Sequence, residues 1–245
     1  PFLYMGVKIH FADIDLDTMN IDLNHVRELM SNKVRAIICV HYGGLPCDMD
    51  ELQTIADEWN IPIIEDAAQA VGAKYKGVNI GNISDFTIFS FQAIKHITTG
   101  DGGMLIIKDK KLVDKAESIR WFGIDRKAKQ AGIWENDITE IGYKYQMTDI
   151  AAAMGIVSLD EFDDQSKLRK TLFKTYVEEL TNCERLRVVG SGFTDREHAA
   201  WLLTVIVEDR YALQEKLRDN KIESNQVHFR NDRYSIFKEF TDGKK

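Results

Sequence analysis

Cysteine is scarce in this chain: 245 residues carry three, Cys39, Cys47 and Cys183. Scattered in this way, they form neither a disulfide framework nor a zinc site, and no metal centre is expected. Cys39 lies inside the apolar run Ala36-Ile-Ile-Cys-Val40 and reads as a small buried hydrophobe. Long apolar runs are missing as well. No stretch approaches the ~20 residues needed to cross a bilayer, and none has the form of a secretory signal, so a cytoplasmic location is expected. A basic excess is also absent: 32 Lys and Arg against 39 Asp and Glu leave a net charge of −7. Phosphate backbones attract basic surfaces, which argues against nucleic acid as the main partner, whereas a nucleotide-sugar needs only a local basic patch.

What the chain does contain is the material of a globular enzyme, with 44% hydrophobic and 29% charged residues, enough for one large core or for one domain and part of a second. Short β-rich runs alternate with longer helical patterns, which predicts an α/β fold with a parallel or mixed sheet covered by helices. Strands are expected at 8–13, 36–40, 62–65, 86–91 and 104–107, and helices at 24–30, 48–59, 111–121, 149–160 and 161–180. Asp48 is the expected N-cap of the second helix, with Met49, Leu52, Ile55 and Ala56 as its inner stripe. The charged stretch 125–140 reads as a loop. Beyond Asn182 the composition changes, with strand-like runs at 186–189 and 200–207 and a helix at 211–220. The expected division is a large domain over 1–160, a linking helix over 161–180 and part of a smaller α+β domain over 181–245.

One segment carries distinctive chemistry. Ser90-Phe-Gln-Ala-Ile-Lys95-His-Ile-Thr-Thr-Gly-Asp-Gly-Gly103 places a lysine between a hydroxyl and a glycine-rich turn, directly after an apolar strand. An amine serves Schiff-base chemistry when its surroundings lower its pKa and hold it against a carbonyl, and a strand-to-loop junction supplies that setting. Pyridoxal 5'-phosphate is the carbonyl compound that suits it. The pyridine nitrogen of that cofactor needs an acid, and Ile61-Pro-Ile-Ile-Glu-Asp66-Ala-Ala-Gln69-Ala ends an apolar strand in one, Asp66. Ser90 can donate to a phosphate oxygen or simply shape a turn. His96, beside Lys95, points away from it in extended chain and reads as a packing histidine.

These residues resemble the DegT/DnrJ/EryC1/StrS sugar aminotransferases, which are fold-type I pyridoxal phosphate enzymes. The likeness is carried by Glu65-Asp66-Ala-Ala-Gln69-Ala-Val-Gly-Ala73, by Gly81 to Asp85 leading into Phe89-Ser90-Phe91, and by Lys95 with Thr98-Thr-Gly-Asp-Gly-Gly103. It extends to Leu3-Tyr-Met-Gly6 with Phe11-Ala-Asp-Ile-Asp15, to Ala36-Ile-Ile-Cys-Val-His41-Tyr-Gly-Gly-Leu-Pro-Cys-Asp48-Met-Asp50, and to Gly142-Tyr-Lys-Tyr-Gln-Met147-Thr-Asp-Ile-Ala-Ala-Ala-Met-Gly155, covering roughly residues 1–180. The resemblance implies a fold-type I arrangement with a mixed, mostly parallel sheet flanked by helices and a smaller α+β C-terminal domain. It makes Lys95 the Schiff-base lysine and proton carrier, sets Asp66 at the pyridine nitrogen and Gln69 against the ring or its 3-hydroxyl, and gives Ser90 the phosphate. It further implies a homodimer with sites built across the interface, a nucleotide-linked keto-sugar as substrate, glutamate as amino donor, and an amino sugar used in polysaccharide or a glycosylated product.

The chain also departs from the family pattern. Most members have Gly-Tyr-Asn-Tyr-Arg-Met, with the asparagine reaching the cofactor phosphate of the neighbouring subunit, where this chain has Gly142-Tyr-Lys144-Tyr-Gln146-Met147. Lys144 can contact a phosphate as a cation or form a surface ion pair, and both readings stand. The chain opens at Pro1, where the family is already past its first helices, and the family's phosphate-holding glycine turn is not among these residues. A preceding segment is therefore expected, and the final Gly243-Lys-Lys245 reads as an unfinished edge. The loop His228-Phe-Arg230-Asn-Asp232-Arg-Tyr234 is a further candidate for substrate contact. Its arginines suit a diphosphate or carboxylate and Tyr234 suits a base or sugar face; the alternative is a surface loop with ion pairs. Two other functions share this fold. A dehydratase with the same cofactor would replace the lysine by histidine or add iron–sulfur cysteines, and this chain does neither. A non-catalytic regulator or binding protein has no need of Lys95, Asp66 and Ser90 together.

Overall fold

The structure, a computed structural model, describes residues 1–135 and 137–240. Asn136, within the expected loop, and residues 241–245, with the expected unfinished edge, lie outside the described residues. In chain order, helix α1 (Leu23–Leu29) precedes strand β1 (Ile37–Val40), and α2 (Met49–Trp59) leads to β2 (Ile63–Asp66). The short strands β3 (Lys74–Tyr75) and β4 (Val78–Asn79) precede β5 (Phe86–Ser90) and β6 (Gly103–Ile107). Helices α3 (Val113–Arg120), α4 (Arg126–Gln130), α5 (Asp149–Asp160) and α6 (Phe162–Leu180) follow, then β7 (Leu186–Val188), β8 (Arg196–Glu197), β9 (Val205–Val207) and α7 (Arg210–Asp219). The main sheet has the order β1-β2-β5-β6, with the first two pairings parallel and the last antiparallel. It is the mixed, mostly parallel sheet flanked by helices that the sequence predicts.

The strands alternate as a half-buried sheet requires. Ile37, Cys39, Ile63, Glu65, Thr87 and Phe89 are buried, and the apolar members of this set share one core with Val26 of α1 and Met49, Leu52, Ile55 and Ala56 of α2. The alternate residues face the other way. Register puts Val40 opposite Asp66, Asp66 opposite Ile88 and Ile88 opposite Leu105, so these four form one row across the outer face. Helix α2 follows its sequence signals closely. Asp48 accepts the Glu51 amide, Asp50 and Glu51 occupy the first turn where the helix dipole favours acids, and Asn60 closes the helix in the left-handed conformation.

Three expectations need correction. Residues 8–13 form no strand, because the segment finds no partner strand; Asp13 instead gives its amide to His25 Nδ1, and pairing is limited to an isolated bridge between Ile14 and Ile21. The run 200–207 is a strand only from Val205. Ala200 takes a positive φ of 56°, and the amides of Ala199, Trp201 and Leu202 go to the carbonyls of Gly44 and Gly43 rather than to a neighbouring strand. The loop 125–140 contains α4, whose start is fixed by the Asp125 carboxylate accepting the Ala128 amide. The β3–β4 hairpin was not foreseen. It turns on Lys76 and Gly77, both at positive φ, and Lys-Gly is a weaker turn signal than Asn-Gly. Among the described residues no helix is long and apolar enough to cross a membrane.

The turn after β1 packs without spare room. Gly44 has φ +101°, and a Cβ there would lie 2.8 Å from the Gln69 carbonyl oxygen and 2.9 Å from the Ala199 Cβ. Gly77 has φ +80° with nothing within 4 Å of the same point. Gly77→Ala is expected to cost only the left-handed penalty of roughly 1 kcal/mol, and Gly44→Ala clearly more, because backbone must also move. Urea unfolding of the two variants checks this, and equal losses would refute the packing contribution.

Candidate active site

The C-terminal ends of β2 and β5 converge on one edge of the sheet, the place where open α/β sheets present ligand-binding groups. Asp66 is half-buried there. Its Oδ1 accepts the Ala68 amide at 3.1 Å, and its backbone carbonyl accepts the His41 amide at 3.1 Å. On the adjoining strand, Ser90 lies two residues beyond Ile88, the register partner of Asp66, and so faces the same side. Its Oγ accepts the Gln92 amide at 3.3 Å.

From Ser90 the chain turns through a short loop held by its own backbone. Lys95 gives its amide to Gln92 O, Thr99 to Phe91 O and Phe91 to Gly102 O, each at 2.9 Å. Helix α5 braces this loop from outside: Ser158 Oγ accepts the Thr98 amide at 3.1 Å, and a Cβ at Gly155 would stand 2.9 Å from Thr99 Cγ2. Gly155, lacking a Cβ, therefore permits this close approach.

Lys95 is partly buried, with Nζ 4.0 Å from the centre of the Trp201 ring. Burial pushes its pKa down against the opposing pull of the Asp66 carboxylate, and the net result lies below the ordinary lysine value. Trp201 is itself fixed, since its Nε1–H donates to Ile94 O at 3.1 Å and its amide to Gly43 O at 3.0 Å. Gly43 returns its own amide to Gln69 Oε1 at 2.6 Å. One loop thus orients Gln69 on one side and the Trp201 ring on the other.

The remaining predicted residues are placed differently. His96 is a buried packing residue, as expected, with Nε2 bonded to Ala199 O at 2.8 Å. Lys144 is exposed and forms an isolated bridge with Trp121, and among the described residues it makes no hydrogen bond to Asp66, Gln69, Ser90 or Lys95. Arg230 is held by Asp232 through Nε at 3.0 Å and Nη2 at 2.5 Å, the ion-paired arrangement weighed as the alternative for that loop. Tyr234 packs edge-on against Phe229, and His228 stands edge-on to Tyr42 at 6.3 Å.

Two features of the site had no local sequence signal that singled them out. Trp201 reaches Lys95 from another part of the chain. Behind Asp66, Glu65 and His41 form a fully buried pair at 2.7 Å, with Thr87 Oγ1 and the Ser84 amide completing the carboxylate's bonds. Strand alternation did imply that Glu65 points inward if Asp66 points outward.

The donor set fits pyridoxal phosphate. Lys95 offers an amine of lowered pKa, Asp66 a half-buried carboxylate and Ser90 a hydroxyl, all at one end of the sheet. The model of the DegT/DnrJ/EryC1/StrS aminotransferase family matches residues 1–244. Over 229 residues the chain is 34% identical to the GDP-perosamine synthase of Escherichia coli O157:H7, covering 92% of this chain and 60% of that one. A sugar aminotransferase from Micromonospora echinospora superposes with a TM-score of 0.93 at 31% identity, covering 98% of this chain and 66% of the other. A Streptococcus pneumoniae structure in a PLP form matches with a TM-score of 0.84 at 27% identity, covering 97% and 66%. The chain spans less than two thirds of the length of each of these proteins. It belongs to the DegT/DnrJ/EryC1/StrS aminotransferase family, whose cofactor is pyridoxal phosphate.

Proposed function

We propose that this chain carries the cofactor site of a sugar aminotransferase, which moves an amino group from an amino acid, glutamate, to a nucleotide-linked keto-sugar. The observation that carries this reading is a partly buried lysine of depressed pKa in the loop that follows β5, next to the carboxylate that ends the neighbouring strand β2. When bound, pyridoxal phosphate supplies an aldehyde carbon for an amine and a ring that takes up the electron pair left when a proton departs. Asp66 holds the proton on the pyridine nitrogen. Ser90 would donate its hydroxyl hydrogen to the cofactor's phosphate, and Gln69 would lie against the ring or its 3-hydroxyl. Lys95 Nζ removes the proton from the donor's α-carbon and returns one at the other end of the exchange, and its depressed pKa keeps more of it in the basic form at neutral pH. Trp201 shields Lys95 on one side and limits the water that reaches it.

In this reading residues 1–160 hold the cofactor, α6 links, and 181–245 belong to a second domain whose 228–234 loop, with His228, Arg230 and Tyr234, approaches the substrate. The assembly is a homodimer, with Lys144 offered to the partner's cofactor phosphate. Support for an assembly comes from α5, which buries none of its residues and leaves Ile150, Met154, Ile156, Val157 and Leu159 exposed.

Borohydride reduction of the chain loaded with pyridoxal phosphate is expected to leave a phosphopyridoxyl adduct on the peptide containing Lys95, detected by mass spectrometry. Glutamate added before reduction should abolish the adduct, and Lys95→Ala should never form it. Adducts spread over surface lysines, with none at Lys95, would refute the reading.

The lowered pKa also predicts a pH effect of definite sign. The folded state binds fewer protons at Lys95 than the unfolded chain, so this group's contribution to stability falls as pH drops below the unfolded lysine value. Lys95→Met should therefore raise the melting temperature of the apoprotein at neutral pH and have less effect in strong alkali. A gain that is the same at both would show that burial of the ammonium is not its source.

A further inference from the structure

Among the described residues, Glu65 is the one buried carboxylate, and the proposed chemistry does not use it. Its Oε2 receives His41 Nε2–H at 2.7 Å, while Oε1 receives the Thr87 hydroxyl at 2.9 Å and the Ser84 amide at 3.2 Å. The other ring nitrogen of His41, Nδ1, accepts the Cys47 amide at 3.1 Å. An amide cannot give up its proton, so Nδ1 carries a lone pair and the ring's single proton sits on Nε2, facing Glu65. Burial pushes the Glu65 carboxyl up, but its bonds from His41, Thr87 and Ser84 outweigh this and hold it below the usual carboxylate range. The network is thus one carboxylate with three donors, closed off from water.

Taking a carboxylate out of water is costly, and well-packed apolar replacements of such pairs often leave a fold no less stable. Stability alone therefore does not account for this network. Its connections do. Glu65 stands one residue before Asp66 on β2, and Thr87 stands three before Ser90 on β5. His41 follows β1, and its own amide holds the Asp66 carbonyl at 3.1 Å. Through Cys47 the ring also closes the 41–47 turn, whose Gly43 orients Gln69 and Trp201. The bonds thus tie β2, which carries Asp66, to β5, which carries Ser90, and to the 41–47 turn, which holds Gln69 and Trp201.

We propose that Glu65 and His41 are positioning residues of the cofactor site. Bonded on the inner face of the sheet, they set the relative placement of Asp66, Gln69, Ser90 and Trp201 on the outer face, a role in binding pyridoxal phosphate distinct from their part in stability. This rests on the cofactor chemistry proposed above.

The test compares apoprotein melting temperature with pyridoxal phosphate affinity, read by quenching of tryptophan fluorescence, in the full chain. In Glu65→Gln the new NH2 group faces either His41 Nε2, which already carries the ring's proton, or the Ser84 amide, itself a donor, so in either orientation one bond of the network must break. In His41→Leu/Glu65→Met/Thr87→Val the network is replaced by apolar packing. Both are expected to raise the dissociation constant about tenfold or more, the apolar variant even where it melts no lower than the unsubstituted chain. Leu52→Ala, a core truncation on α2 outside the network, should lower the melting temperature yet leave the dissociation constant within about twofold. Variants that lose melting temperature but keep their affinity overturn the proposal. If the larger replacements fail to fold, Thr87→Val decides, with weaker binding supporting the proposal and unchanged binding overturning it. An unsubstituted chain that does not bind overturns the cofactor chemistry itself, and this inference with it. Binding by the unsubstituted chain, unaltered in the variants, overturns this inference alone.

Discussion

Adjacent side chains of a strand face opposite ways, and β2 ends in two adjacent carboxylates. One of them must enter the core. Glu65 does so, and the carboxylate it brings inside demands hydrogen-bond donors from β5 and from the residues flanking β1 and β5, which Thr87, His41 and Ser84 provide. That demand fixes register. A slip of one residue would bury Asp66 without donors and expose Glu65, so the polar bonds inside the sheet and the placement of Asp66 outside it are the same constraint seen from two faces.

Lys95 depends on a second kind of support. Loops hold functional groups, but they hold them loosely unless something fixes their backbone. Here the loop after β5 closes on itself through amides of Phe91, Lys95 and Thr99, and α5 bears on it through Ser158 and Gly155. The lysine is then left in a contest between burial, which disfavours its charge, and two attractions, the Asp66 carboxylate and the face of Trp201. Burial wins, and the balance leaves a larger share of this amine unprotonated than of an ordinary surface lysine at the same pH.

Much of this was legible in the sequence wherever an element carries its own instructions. Helix α2 has its cap, its acidic first turn and its apolar stripe within a dozen residues, and α5 and β5 are similarly self-contained. A strand requires a partner: residues 8–13 find none, and the amides of Ala199, Trp201 and Leu202 go to the Gly44 and Gly43 carbonyls, so the run 200–207 pairs as a strand only from Val205. The same division runs through the site. Asp66 and Ser90 end strands and Lys95 lies in the loop directly after one, their chemistry on display. Trp201 is not so placed, since it meets the Lys95 loop from 107 residues beyond Ile94. The Arg230 loop presented donors in sequence, yet whether a guanidinium two residues from an aspartate is free or paired is decided only by backbone geometry.

The outer face of the sheet joins these supports to the chemistry. Asp66 sits in a row with Val40, Ile88 and Leu105, three apolar side chains that are substantially exposed, and Ser90 stands at the end of β5 beyond them. A flat aromatic ligand needs such a surface: apolar neighbours displace water from its faces, and a few polar groups at the edge orient it. Displacing that water would also strengthen the Asp66 charge, because an ionic interaction gains as the surrounding dielectric falls. A carboxylate among polar neighbours would be screened, and one wholly buried would lose its charge or need donors of its own, as Glu65 does. Asp66, half-buried with Ala68 N–H as its side chain's backbone donor, stands between these limits and faces outward.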